Sequence, residues 1–343
     1  MANANSSSLG KNNSPANPPD ICCKVQVDAK QQNHTLSTKP LVAIFLCTKD
    51  GDRFLKEQLD SILKQRDCGF NLWVSDDGST DDTLRILKSY QSSWGTQSLS
   101  IEPGPQQGYA ANFLSLASRA SIEADYYAFA DQDDIWEPDK LSRAIDKLRL
   151  IDEDVPALYC ARTRLIDQYG KGCGYTPIRR RRPSFANSLV QSLASGNSMV
   201  MNKAAHNLLC KAGQLNIISH DWWVYSLVTG SGGIVIYDKH PSVRYRQHDQ
   251  NVLGASPGLR ATHKRIYMLF QRRFQQWNAI HTKALDANRE LLTTENAIML
   301  DKFSKARVCR LIPRTIGIWR SGVYRQTLIG GLGLFAATLF DRI

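Results

Sequence analysis

Tyr126 to Ala130 is a short apolar and aromatic run that ends abruptly in three carboxylates, Asp131, Asp133 and Asp134. Such a run reads as a buried strand. A strand turns alternate side chains to the same side, so Asp131 and Asp133 can point together. Two carboxylates held side by side repel unless something neutralises them. A hard divalent cation does this and keeps positions free for water and a diphosphate. Glu137 and Pro138 follow, and proline and acids suit the first turn of a helix. An acidic turn capping a helix is the plainer account of this stretch, and the rest of the chain decides between the two.

Leu41 to Cys47 is a continuous apolar run, as in a strand buried on both faces. A turn at Thr48 to Asp52 leads into Phe54 to Gln65, where Leu55, Leu59, Ile62 and Leu63 recur at helical spacing. Phe70 to Val74 is a second strand, ending in the carboxylate-dense loop Ser75 to Asp82. A helix over Thr83 to Tyr90, a strand over Ser98 to Glu102 and a helix over Gly108 to Ala120 complete a β-α-β-α-β-α-β order. That order predicts a doubly wound, mostly parallel sheet, with ligands at the carboxyl ends of its strands. Thr48, Asp76, Asp77, Asp131 and Asp133 all fall at such ends and should meet along one rim. Separate unrelated turns would not give this coincidence.

The second half predicts a strand over Ala157 to Ile166 and a loop over Lys171 to Pro183 holding the run Arg179 to Arg182. Helices are expected over Ser184 to Leu193, Asn202 to Ala212 and His220 to Val228, with a polar turn entering a strand over Ser195 to Met201. Strands follow at Ile234 to Tyr237 and Val243 to Asp249. From about Ser256 onward the pattern is helical and basic. Three parts are expected: a disordered leader over residues 1–39, a main domain over 40–255 and a helical basic region over 256–343.

The formal charge of +11 points to a polyanionic partner: nucleic acid, an anionic membrane face or a phosphorylated substrate. The aromatics sit with carboxylates, which would repel phosphates, so nucleic acid is not expected. The eight cysteines form no Cys-x-x-Cys pair, which argues against zinc or a disulfide framework and fits a cytoplasmic location. The N-terminus has no charged start followed by an apolar core, and no apolar run reaches the roughly 18 to 20 residues of a membrane span. Leu328 to Phe340 is apolar, Gly-rich and flanked by arginines, suiting a packed helix or an interfacial anchor. Phosphoryl or nucleotidyl transfer would want a phosphate-cradling Gly-rich loop, and none is present.

Four motifs in order carry a family resemblance: Ala43-Ile-Phe-Leu-Cys-Thr-Lys-Asp-Gly51, Val74-Ser-Asp-Asp-Gly-Ser-Thr80, Phe129-Ala-Asp-Gln-Asp-Asp-Ile-Trp136 and His220-Asp-Trp-Trp223. A fifth, Tyr245-Arg-Gln-His-Asp-Gln-Asn-Val252, looks like a loop closing the site. Over about residues 40 to 255 the chain resembles the family 2 glycosyltransferases of GT-A fold, in their bacterial rhamnosyltransferase-like branch. The resemblance implies an α/β, Rossmann-like, mostly parallel sheet with flanking helices, followed here by the basic helical region. It implies an inverting, metal-dependent glycosyltransferase. The sugar, such as rhamnose, would come from a nucleotide diphosphate donor, such as a dTDP-sugar. The acceptor would be a lipid-linked or growing surface polysaccharide at the inner face of the cell membrane, where peripheral contact is expected. Thr48, Asp50, Asp76, Asp77, Gly108, Asn112 and Gln132 would hold the nucleotide sugar. Asp131, Asp133 and His248 would hold Mg²⁺ or Mn²⁺, and Asp221 would be the base. Trp136, Asn197, Trp222 and Trp223 would face the acceptor. The first motif departs from the family's usual Thr-Tyr-Asn, and His220 stands where an acid often precedes the base. The alternatives are a catalytically silent sugar-nucleotide-binding relative and a basic nucleic-acid-binding protein.

Overall fold

Strand β1 (Leu41–Thr48) is buried from Val42 onward, and its residues alternate between two hydrophobic layers. Ala43, Phe45 and Cys47 join one layer, and Val42, Ile44 and Leu46 the other. A continuous apolar strand is what a sheet covered on both faces requires. The computed structural model describes residues 39–95, 98–248 and 272–343. The leader over 1–38, with Cys22 and Cys23, lies outside the described residues, as do 256–271 of the basic region and the end of the fifth motif.

Helix α1 (Asp52–Leu63) follows, burying Phe54, Leu55, Leu59 and Ile62. Leu63, counted with that apolar face, is 53% exposed. Then come β2 (Gly69–Asp76), α2 (Thr83–Trp94), β3 (Leu99–Pro103), α3 (Tyr109–Ala117) and β4 (Tyr126–Asp131). β1 pairs in parallel with β2 and β4, and β2 with β3. The register sets Thr48 opposite Asp76 and Cys47 opposite Asp131, so the strand ends finish level.

The helix expected at Glu137-Pro138 begins later. The chain first forms β5 (Ile135–Trp136), and α4 (Lys140–Leu148) starts after Asp139. Glu137 is taken by the neighbouring strand: its N–H donates to Ser242 O at 3.0 Å and its carboxylate pairs with Arg244 at 2.8 Å. The strand expected over Ala157 to Ile166 is two strands, β6 (Ala157–Ala161) and β7 (Arg164–Ile166). Between them the chain passes from one sheet to the other. β8 (Gly172–Tyr175) lies in what reads from sequence as loop and pairs antiparallel with β7. The helix expected over Ser184 to Leu193 is the short α5 (Phe185–Ser188).

β9 (Val200–Asn202) inserts antiparallel between β4 and β6. Asn202 then caps α6 (Lys203–Ala212), accepting from Ala205 N at 3.0 Å. α7 (His220–Gly230), β10 (Ile234–Asp238) and β11 (Val243–Arg246) follow. The main sheet has the order β10-β6-β9-β4-β1-β2-β3 and the second β5-β11-β7-β8. Apart from β9 the main sheet is parallel, as the alternation predicted.

The C-terminal part is helical: α8 (Arg273–Asp286), α9 (Thr294–Arg307), α10 (Leu311–Arg320) and α11 (Leu328–Leu339). Leu285, Leu300, Phe303, Ile318 and Leu334 join the core layer of Phe45 and Phe129, within one compact unit from Lys39 to Ile343. Cys47, Cys68, Cys160, Cys173, Cys210 and Cys309 are free. Among the described residues no helix is long and apolar enough to cross a membrane.

Candidate active site

The level ends of β2, β1 and β4 open into a cavity of about 800 Å³. That volume suits a substrate-sized ligand. Ten of the fifteen residues expected at the site line it: Thr48, Asp50, Asp77, Gly108, Asn112 and Gln132 toward β1 and β2, then Asp131, Asp133, Asp221 and His248.

The loop after β1 is held tightly. The Gln132 amide brackets Lys49, accepting from its N–H and donating to its carbonyl, both at 2.9 Å. Asp50 sits at φ +45 and accepts from Thr80 N at 2.7 Å, and that bond holds its carboxyl below the usual range. Asp77 accepts from Gln106 N at 2.5 Å and Gly108 N at 3.2 Å, which fixes the entry to α3. Gly108 makes that entry at φ +89, where glycine is favoured. Asn112 is buried and donates to Ser75 O at 3.0 Å, while its Oδ1 has no partner among the described residues.

Asp131, Asp133 and Asp221 bring three carboxyls to one cavity. Burial, then the charges of Asp133 and Asp221, push Asp131 up to about 8. His248 Nε2 lies 2.6 Å from Asp133 Oδ2, so two of the three expected metal-holding residues touch. Burial also raises Asp221, opposed by hydrogen bonds from Ser219, Trp222 N and Ser192. The Trp222 N–H donates to Asp221 Oδ1 at 2.7 Å. Among the described residues no three His, Cys, Asp or Glu side chains converge as a complete metal cage.

Five expected site residues lie elsewhere. Asp76 is buried and fully engaged, accepting from Thr48 Oγ1 at 2.8 Å, Ser79 Oγ at 2.6 Å and Ser79 N at 2.8 Å. It braces the rim from below. Asn197 is buried and donates to Asp134. Trp136 is buried under the Lys140 ammonium, which stands 3.5 Å from its ring centroid. Trp222 donates to Ser188 O at 2.5 Å and stacks on His281, and Trp223 is wholly buried. All three tryptophans are core: Trp136 on β5 packs in the second layer, and Trp222 and Trp223 sit on α7, which is packed on nearly every side.

The sequence did not single out Tyr109 or Ser192, which also line the cavity, and it marked Arg179, a further lining residue, as part of the four-arginine run. Of the two missed, Tyr109 had a signal, its place beside Gly108. A buried support also went unseen. Arg246 is 1% exposed and donates to Asp133 O at 2.9 Å and to Glu57 at 2.8 Å, with its guanidinium over Phe54. It ties the strand that carries His248 to the loop that carries Asp133.

His220 stacks on Phe113 at 3.8 Å between centroids and meets Phe129 edge-on. Burial lowers it to about 3, and neither ring nitrogen has a partner among the described residues. The neutral ring acts as an apolar wedge directly before Asp221. A Cβ on Gly196 would come 2.1 Å from its Nε2. Gly196→Ala is therefore expected to destabilise by about 1–3 kcal/mol, as overpacking does. Denaturant unfolding checks this. In a His220→Ala background most of the penalty should vanish, since the two sites share the contact.

Residues 43–205 match the profile described as Glycosyl transferase family 2. The chain is 30% identical over 243 residues to a dTDP-rhamnosyl transferase, RfbG, of Shigella flexneri, covering 64% of this chain and 78% of that protein. It is 29% identical over 120 residues to a chondroitin synthase of Escherichia coli, covering 35% of this chain and 17% of that protein. In fold it is similar to S. aureus TarS 1–349 in complex with UDP, with a TM-score of 0.50, 14% identity and 88% of each chain covered. The strand order, the carboxylate-lined cavity at the strand ends and these matches together place the chain in glycosyl transferase family 2, as a GT-A-type glycosyltransferase similar to rhamnosyltransferases.

Proposed function

We propose that this glycosyltransferase is an inverting, metal-dependent enzyme. It moves a sugar from a nucleotide diphosphate donor, a dTDP-sugar such as dTDP-rhamnose, to a hydroxyl of a lipid-linked or growing surface polysaccharide. The reaction is placed at the inner face of the cell membrane. The observation that carries the reading is Asp221 in the same cavity as the Asp133–His248 pair, with Thr48 and Asp77 at the rim.

Asp77, Asn112 and the Asp50 loop suit the nucleotide, since carboxylates and amides accept from imide and ribose donors. The oxygen and imidazole groups of Asp131, Asp133 and His248 fit Mg²⁺ or Mn²⁺. Their crowded negative charge calls for a cation, and such ions take only part of their coordination from side chains and the rest from phosphates and water. A bound ion would offset the charge developing on the diphosphate.

Asp221 takes the acceptor hydroxyl proton. The freed oxygen bonds to the anomeric carbon as the bond from that carbon to the diphosphate oxygen breaks. Attack in line with the leaving group inverts the anomeric centre. Binding of dTDP-, UDP- and GDP-sugars, with and without Mn²⁺, tests the reading. Saturable binding of a dTDP-sugar that needs the metal is expected. Binding of no donor with metal present, or donor binding that is the same with and without the metal, would overturn it.

A further inference from the structure

A surface helix normally turns its apolar stripe inward and its polar residues outward. α11 does not. Leu334, Ala337 and Thr338 are buried, yet the opposite side carries Leu328 at 90% exposure, Ile329 at 80%, Leu332 and Phe335. Their spacing of i, i+1, i+4 and i+7 places them on one face. No charged residue occurs between Leu328 and Phe340. α10 repeats the pattern: Arg314 and Ile318 point inward, while Leu311, Ile312, Ile316 and Trp319 are exposed, Trp319 by 81%. The buried Arg314 joins the two helices, donating to Thr338 O at 2.8 Å and pairing with Asp341.

We propose that the exposed faces of α10 and α11 dock on an anionic lipid bilayer. Charge selects this partner. From Lys302 to Arg342 the chain has eight lysines and arginines and one acid, Asp341. Exposed Arg310 and Arg320 stand at the two ends of α10. A second copy would bring the same positive rim against itself, because a two-fold contact pairs each patch with its own image. An anionic surface is attracted by that rim and accepts the apolar side chains between the headgroups. Twelve residues of helix reach only about 18 Å against a hydrocarbon thickness of about 30 Å, so α11 lies in the plane of the membrane. Trp319 suits the interface, where its ring is half in water.

The surface is tied to the cavity. The segment between α10 and α11 grips the four-arginine loop. The Arg181 guanidinium lies 3.7 Å from the Tyr324 ring centroid, the Arg181 backbone N–H donates to Gln326 Oε1 at 3.1 Å, and Asn187 Nδ2 donates to Tyr324 O at 2.8 Å. Arg179 of the same loop lines the cavity. Docking thus holds the Arg179 side of the cavity toward the lipid, where an acceptor anchored by a phosphorylated lipid would arrive. This last step rests on the function proposed above, whereas the docking itself is measured without any sugar.

The test is flotation of the full chain with phosphatidylcholine vesicles and with vesicles also containing phosphatidylglycerol. Wild type should float with the anionic vesicles and only weakly with the neutral ones. Ile312→Ser/Trp319→Ser/Leu332→Ser should lose flotation. Arg310→Ser/Arg320→Ser should bind anionic vesicles about 30-fold more weakly, the effect of removing two cations near a charged surface. All these side chains are exposed, so each variant should keep the wild-type melting temperature. A variant that did not would be replaced by Leu328→Ser/Ile329→Ser. Failure of wild type to float would overturn the proposal, as would equal binding to neutral and anionic vesicles. A dimer that the triple variant converts to monomer, with no lipid binding, would assign the face to a second copy instead. Donor binding in solution should be unchanged in every variant, which separates failure of docking from failure of the transferase reading.

Discussion

Asp221→Asn should lower kcat by about 10²–10⁴-fold while leaving donor affinity nearly unchanged, the effect of removing a general base that touches only the acceptor hydroxyl. The substitution preserves local geometry. Asparagine Oδ1 still accepts from Trp222 N, which donates to Asp221 at 2.7 Å, and its amide can donate to Ser192 Oγ, 3.5 Å from Asp221 Oδ2. Steady-state transfer and donor titration check the two halves of the expectation. Loss of donor binding together with activity would move Asp221 out of the base role.

The same residue gives a pH signature. Burial raises the Asp221 carboxyl above its ordinary value, so its ionised form fades at a higher pH than an exposed aspartate's. Transfer, which needs that form, should fall as pH drops through the raised value. Stability runs the other way. A carboxyl whose folded value is raised favours the folded state below its unfolded value, and that advantage is lost as pH rises through the folded one. Asp221→Asn should therefore melt above wild type at neutral pH, with the gap closing in acid. A base held at some cost to the fold is a common trade between activity and stability.

The strand ends were legible because two signals agreed. Leu41 to Cys47 and Tyr126 to Ala130 are unbroken apolar runs, and each stops at a polar residue that the parallel register then brings level. Asp221 and His248 could not be placed that way, since no periodicity links residues so far from the strands. They came from the resemblance alone. The failures have physical causes too. Asp76 and Asp77 are neighbours at a strand end, and alternation sends one inward and one to the cavity without saying which. The tryptophans of α7 looked available beside Asp221, but a helix buried nearly all round has no outer face to offer them. Glu137 reads as a helix start until β11, distant in sequence, arrives with Arg244. Arg246 shows the same limit from the other side: nothing local marks an arginine for burial, and its partners at Glu57 and Asp133 exist only in the fold.

Asp133→Ala should remove metal dependence and lower kcat/KM by at least about 10²-fold, the scale of losing a group that stabilises developing charge. Wild type should show saturable dependence on Mn²⁺ or Mg²⁺ in both donor binding and transfer. The variant should bind donor weakly and to the same extent with or without the ion. His248 acts on the same point, since its Nε2 lies 2.6 Å from Asp133 Oδ2, and His248→Ala should weaken the metal response in the same direction. The two residues are expected to behave as a unit, so Asp133→Ala/His248→Ala should be little worse than Asp133→Ala alone. Additive losses would mean that His248 works through a different contact. Unaltered, metal-responsive donor binding in Asp133→Ala would remove this pair from the metal site and leave Asp131 to carry it. Asp131→Asn separates that outcome from a fold defect: it removes a charge that Asp133 and Asp221 already oppose, so the protein should stay folded whichever carboxylate serves the ion.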